Sequence, residues 1–404
     1  MAFTPTSYTN ITTMLPSANA STSLSAEETE VILRKLNDEK AVQYLPVIIY
    51  MMILLLVGTV GNIVVFFVYW NKKTKSSSHF FILNLAVLDL LTCLVGMPTE
   101  VADLRYPYMF YAPAACKLLR FSESVSTIGS SITLIAVAFD RYYRICKLGK
   151  QISVKTAKII CVIAILIGVL TSWPACIIFG EKTVDVGVEG IVGVDCSTDD
   201  SMRHTLYPTL YYGVLFLLFV ACVIFFTVIY SKIGAVIWTR KKIKIGEKAP
   251  EVPPSKDRTF NDSTASDRVS SDPISTEMSS DQEANWDDTR RNSTASRNVF
   301  KKRGQKHQIR VTRTTVVLFA VTVAYVVSFL PFLIFMVVRS IKRDFESGLD
   351  PAGEVAYKFG SKSYFINNAI NPVIYSFLNV NFRKDTKALF KRCLACCCCR
   401  NRDV

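Results

Sequence analysis

Long uncharged runs alternate with short charged ones along the chain. The stretches 41–71, 159–180, 205–231, 314–338 and 363–382 contain no Lys, Arg, Asp, Glu or His. Each reaches the roughly 20 residues that a helix needs to cross a hydrocarbon core of about 30 Å. Two further apolar runs carry isolated charges: 80–99 holds Asp89, and 118–139 holds Arg120 and Glu123. Helices of a water-soluble core need a polar face, and these have almost none. The pattern predicts an all-α membrane protein, a bundle of seven spanning helices. Residues 181–197, "EKTVDVGVEGIVGVDCS", break it: small or charged residues alternate with Val and Ile around a central Gly, which reads as strand–turn–strand.

A chain of 404 residues that is 50% hydrophobic could equally form several soluble domains, and charge placement decides against them. The net charge of +14 would suit nucleic acid if it were spread over one surface. With the amino terminus outside, the basic excess falls on the interior segments and the exterior ones are acidic overall, the positive-inside pattern. Nucleic acid is thereby a poor partner, and a multi-pass plasma-membrane protein with an extracellular amino terminus is expected. The organisation is an exterior tail over 1–43, a spanning domain over 44–392 and a Cys-rich tail over 393–404. A cytoplasmic loop at 240–305 interrupts the domain; it is too rich in Ser, Thr, Asp and Pro to fold alone, and basic flanks extend helices toward anionic lipid. The first residues are polar, with no signal peptide visible, so the first span would act as an uncleaved anchor. Asn10 and Asn19 stand in glycosylation sequons on the tail.

Cys116 and Cys196 alone among the 12 cysteines fall on the exterior, oxidising side, and a disulfide between them is the economical reading. Cys93, Cys146, Cys161, Cys176 and Cys222 lie in or at the ends of spans as packing residues. Cys393, Cys396, Cys397, Cys398 and Cys399 form a run without the second anchor pair a metal site needs, which favours S-acylation. Just before it, "NFRKDTKALFKRC" puts Phe382, Leu389 and Phe390 on one face among basic residues, the signature of a short interfacial helix after the last span.

An acid inside a span costs on the order of 2–3 kcal/mol. Glu123 and Arg141 are 18 positions apart, about five helical turns, so they share a face about 27 Å from end to end. Ser130 lies on that face between them. Polar groups in a span turn toward the protein interior, so this face lines a cavity.

"FDRYYRI" at 139–145 resembles the D-R-Y motif of rhodopsin-like (class A) G-protein-coupled receptors. "NPVIY" at 371–375 matches their N-P-x-x-Y, and "GN" at 61–62, "LNLAVLDL" at 83–90 and "SWP" at 172–174 match the marks of spans one, two and four. The resemblance runs through all seven spans in order. It implies that Arg141, held by Asp140 beside Tyr142, is released to meet a heterotrimeric G protein, and that Tyr230 and Tyr375 turn inward to support that state. Asn371 and Pro372 belong to the same machinery. Asp89, Ser130, Asn367 and Asn371 match the family's ligands for a sodium ion. No cofactor is required, and arrestin and receptor kinases are the further partners implied. The sixth span departs from the pattern: "YVVSFLP" places Tyr325 and Phe329 where Phe and Trp are usual, while Pro331 keeps the kink. Val311 stands where some relatives carry a Glu that locks the arginine.

On the ligand side the candidates are Glu123, Phe329, Tyr357 and Phe365. Glu123 occupies the position of the acid that meets amines, which makes it a counter-ion for a ligand's positive group or the partner of Arg120 three residues earlier. The fifth span begins "TLYPTLYYGVLF", without the serines a small amine would want. The strand-like loop, typical of the family's peptide receptors, favours a peptide with basic residues, as for neuropeptide receptors, over a biogenic amine. A transporter would show internal repeats, and none is evident. No nucleophile–base or metal constellation supports an enzyme.

Overall fold

The computed structural model describes residues 25–147, 151–246, 314–339, 342, 345, 346 and 348–400, the side chains of 241–246 and 393–400 aside. Asn10, Asn19, Val311 and most of the 240–305 loop lie outside the described residues, as do the side chains of Cys393 and Cys396–Cys399.

Ser25 opens the first helix, α1 (Ala26–Gln43): it accepts from the Glu28 N–H while Glu28 accepts from its own N–H, a reciprocal capping box. The apolar pattern gives no hint of this charged helix. Contacts with the rest of the chain hold it: the Asn37 amide donates to the Arg105 carbonyl at 3.3 Å and accepts from the Tyr108 N–H at 3.2 Å.

Among the described residues, six helices are long and apolar enough to cross a membrane. They are α2 (Leu45–Trp70), α3 (Ser77–Arg105), α4 (Pro113–Cys146), α5 (Val154–Ile178), α6 (Tyr207–Gly246) and α7 (Thr314–Arg339). Between α5 and α6 the expected hairpin forms from β1 (Phe179–Asp185) and β2 (Val192–Thr198), antiparallel with Glu181 opposite Cys196. Gly187 and Gly190 take φ of 82° and 81° in its turn, conformations that favour glycine. A disulfide joins Cys116 at the start of α4 to Cys196 on β2. Helix α6 continues past Arg240 to Gly246, so the first residues of the interval 240–305 are helical rather than loop.

The expected seventh stretch, 363–382, is not one long helix. Helix α9 (Phe365–Leu378) fills only part of it, and α8 (Pro351–Ser361) precedes it, the two separated at Lys362–Tyr364. The break has two anchors inside the bundle: Ser363 donates to the Ser328 carbonyl at 2.8 Å, and Lys362 pairs with Glu100. Helix α10 (Val380–Arg400) follows, with Phe382 buried, Leu389 half-buried and Phe390 exposed.

Helix α4 is the axis of the bundle. In its most apolar window 67% of the residues are buried, against 17% for α6, whose surface is left for lipid. Close approach is built in: a Cβ on Gly168 of α5 would stand 2.9 Å from the Val125 carbonyl of α4. Asn62 of α2 donates to the Asn368 carbonyl of α9 at 2.7 Å, tying the first and last parts of the chain together.

Candidate functional site

Three polar layers are stacked along α4. The uppermost opens into a cavity of about 130 Å³ lined by Arg120, Glu123, Phe179, Tyr211, Phe329 and Tyr364 among others. Both carboxylate oxygens of Glu123 are occupied: Tyr364 donates to one at 2.8 Å and Arg120 to the other at 3.1 Å. Arg120 also stands 3.5 Å from Glu100, a fully buried acid of α3 that pairs with Lys362. Its guanidinium lies 5.7 Å from the centre of the Phe179 ring, within cation–π range. The pair that the i, i+3 spacing allows is therefore formed, inside a four-charge network spanning three segments. Phe329 and Tyr357 line the cavity; Phe365 does not, but is fully buried and stacks on Tyr364 at 4.3 Å.

Above it lies a wider cavity of about 720 Å³, bounded by the hairpin and the chain ends of α1, α3, α7 and α8. Glu346 at its rim holds Arg339 at 3.3 Å and Lys182 at 3.8 Å. Burial alone would raise the Glu346 carboxyl, but Arg339, Lys358 and Lys182 with the Tyr357 hydroxyl outweigh it and bring it down to about 2.

In the middle layer Asp89 is fully buried and accepts from the amides of Asn368 at 3.1 Å and Asn371 at 2.9 Å. Ser130 Oγ, Asn367 Oδ1 and Asn371 Oδ1 are buried without a hydrogen-bond partner. Of the four residues expected to act together, Asp89 and Asn371 are joined directly, and Asn368 is the second amide on the acid. That residue was missed, although it sits three positions before Asn371 and so on its face. Nearby, Tyr325 is 4.8 Å from Phe329, and its hydroxyl meets Ser131 at 2.7 Å, a link between α7 and α4 that a phenylalanine could not make. Pro331 lies within α7, two residues beyond Phe329.

At the far end of α4, Asp140 and Arg141 are both buried. Asp140 is shared: Arg141 pairs with it, Arg144 donates at 2.8 Å and Ser77 of α3 at 2.8 Å. Arg141 also donates to Ser78, and Arg144 to Ser77 at 2.7 Å. Tyr142 is half-buried against Tyr143, and Tyr230 meets Thr322 at 3.1 Å. The Tyr375 hydroxyl is buried and without a partner, and Pro372 is buried within α9. Ser77 and Ser78 escaped the sequence reading; nothing in their spacing marks them as partners of a helix 60 residues away.

Among known proteins, the family model described as "7 transmembrane receptor (rhodopsin family)" matches residues 61–375. The neuropeptide S receptor of Macaca mulatta is 33% identical over 199 residues, 48% of this chain and 51% of that protein. The Homo sapiens neuropeptide S receptor is 32% identical over 199 residues, with the same shares. The chain thus spans about half the length of the curated relatives it matches.

Proposed function

From the premise that the chain belongs to the rhodopsin family of seven-transmembrane receptors, a family of signalling receptors, we propose that it binds an extracellular peptide and activates a heterotrimeric G protein. One observation carries the reading. A single helix, α4, contributes Glu123 to the wall of the upper cavity and holds Arg141 in a buried cage at its other end. Displacement of α4 or its neighbours by a ligand can therefore reach the cage through a continuous helix. The relatives, peptide receptors by name, favour a peptide and lend nothing to the amine alternative. Basic residues in that peptide remain part of the proposal. Glu123 would receive one only after Arg120 or Tyr364 had moved off it, with Phe329 and Tyr357 in the cavity wall and Phe365 backing Tyr364.

In this reading α8 and α9 together make the seventh crossing, and α10 lies along the membrane surface with its cysteines available for acylation. The amino terminus is extracellular, where Asn10 and Asn19 would be glycosylated. Release of Arg141 and Tyr142, supported by Tyr230 and Tyr375, would admit the G protein, and arrestin and receptor kinases would use the same face. The buried, unpartnered oxygens of Ser130, Asn367 and Asn371, the last of these residues bonded to Asp89, are the kind of ligand a sodium ion takes, since hard cations prefer oxygen. Such an ion would supply positive charge to an otherwise uncompensated acid. The residues themselves hold Asp89 between two amides of α9.

The test is nucleotide exchange on co-expressed G proteins in cells carrying the full chain, challenged with neuropeptide S and a library of basic peptides. A peptide agonist should emerge, and Arg141→Ala should cut its response at least about tenfold, the factor set by ~1.4 kcal/mol. An agonist response that survives Arg141→Ala intact refutes the mechanism.

A further inference from the structure

Eight charged side chains line the deeper cavity, and five of them are neutralised within the protein: Arg120 with Glu123, Arg339 with Glu346, and Lys362 with Glu100 beneath. The other three are Asp103, Asp195 and Lys358. None of these three has an opposite charge within 4 Å among the described residues, and all three line the wider cavity as well. They stand at the junction of the two cavities, where an entering ligand must pass.

The arrangement is fixed by its surroundings. Asp103, in the last turn of α3, is only 6% exposed, and its Oδ1 accepts from the Cys196 N–H at 3.3 Å. Asp195 precedes that disulfide cysteine on β2 and lines both cavities together with Asp103. Its cross-strand neighbour Lys182 is turned to Glu346 instead. Lys358 of α8 sits over the Tyr44 ring at 5.4 Å. Two neighbouring carboxyls repel unless a proton or a cation stands between them; Lys358 and Arg120 both act on Asp103, but Arg120 is engaged by Glu123 and Glu100. Neither carboxyl has an ion-pair partner within 4 Å among the described residues, so the junction is open to a cation from outside.

We propose that Asp103 and Asp195 seat a cationic group of the ligand, a guanidinium or an ammonium, with Lys358 as the internal cation that this group joins or displaces. The inference rests on the peptide-receptor reading but moves the contact with the basic residue from Glu123, whose oxygens are both taken, to the rim of the cavity. A guanidinium suits it best, since its planar fork can bridge two adjacent carboxyls.

The experiment uses the purified full chain in lipid nanodiscs and two probes, N-acetyl-Phe-Arg-amide and N-acetyl-Phe-citrulline-amide, which differ in charge but hardly in shape. Binding is read by saturation-transfer NMR, independently of G-protein signalling, so failure here and failure of the receptor mechanism are separable. The arginine probe should bind about tenfold more tightly than the citrulline probe, as expected for a hydrogen-bonded charge. Asp195→Asn should remove that preference, Asp103→Asn should weaken it, and Lys358→Met should strengthen it. Thermal unfolding of each variant checks that the hairpin and its disulfide remain folded. Equal binding of the two probes, or no binding of either at millimolar concentration, overturns the proposal. So does a preference that persists in folded Asp195→Asn and disappears in Glu123→Gln.

Discussion

Helix α4 carries a buried acid near each end, and the two are neutralised in opposite ways. Glu123 shares one guanidinium, Arg120, with a second acid from α3, and takes a hydroxyl from the segment after α8. Its network crosses three parts of the chain. Asp140 instead gathers two guanidiniums from its own helix and two serines from α3. The lower cluster is local to two adjacent helices and includes neither α6 nor α7. The upper end is thus wired to report on the relative positions of several segments, whereas the lower end clamps one side chain. Ligand entry would disturb the first, and only a shift of α3 against α4 would open the second.

The strongest break in this comparison is Asp140→Asn. Two guanidiniums, one fully enclosed, would lose the only carboxylate they pair with among the described residues, and orphaning a buried charge costs about 3–5 kcal/mol. Thermal unfolding in nanodiscs should show a large drop in midpoint, and under the proposed function basal nucleotide exchange should rise several-fold. Unchanged stability would mean that Ser77, Ser78 and lipid or water satisfy both arginines without the acid.

Glu123→Gln should cost less, about 1–3 kcal/mol. The amide carbonyl can still accept from Tyr364, and Arg120 keeps Glu100 within 3.5 Å. The asymmetry between the two acids is the point of measuring both. If Glu123→Gln proves as damaging as Asp140→Asn, the upper network has no redundancy and the contrast fails.

How far the sequence showed these features follows from the range of the interactions. The charge-free runs at 41–71, 159–180, 205–231 and 314–338 coincide with α2, α5, the start of α6 and α7, because lipid demands uniform apolarity along a continuous segment. The face joining Glu123, Ser130 and Arg141 was legible from helical period alone, and Asn367 and Asn371 from their motif. Glu100 and Lys362 were not. Each is a charge that would end a predicted span, and only their pairing across 262 residues keeps both inside. The same charge hid the continuity of α8 toward α9. Helix α1 was missed because its stabilisation comes from Asn37, Lys40 and Tyr44 reaching other segments, although Ser25 and Glu28 show its start. Asp103 comes to β2 only through the fold, where its carboxylate takes the Cys196 N–H next to Asp195.

A smaller test of the lower clamp is Ser78→Ala. Its hydroxyl accepts from Arg141 and donates to Asp140 at 3.4 Å, so one side chain braces both members of the pair. Loss of a single buried hydrogen bond costs about 1 kcal/mol. Arg141 keeps Asp140, so a modest fall in midpoint with a slight rise in basal exchange is expected. A rise as large as that of Asp140→Asn would show that the serine, not the acid, holds the arginine.

The mildest effect belongs to the rim, where water reaches the charges. Glu346 has its carboxyl lowered from an ordinary 4.5 to about 2 despite burial, because Arg339, Lys358 and Lys182 surround it. A carboxyl depressed by folding binds protons more readily in the unfolded chain. Its contribution is therefore complete above pH 4.5 and is lost as pH falls toward about 2. At 32% exposure the side chain is screened by solvent, so the gain is small compared with the clusters inside the bundle. Unfolding midpoints of the full chain and of Glu346→Gln should differ most above pH 4.5 and converge as the medium is acidified. High salt should shrink the difference at the rim while leaving the cost of Asp140→Asn nearly intact, since buried charges are screened far less. Equal salt sensitivity at both places would erase the distinction between a solvated clasp and an enclosed clamp.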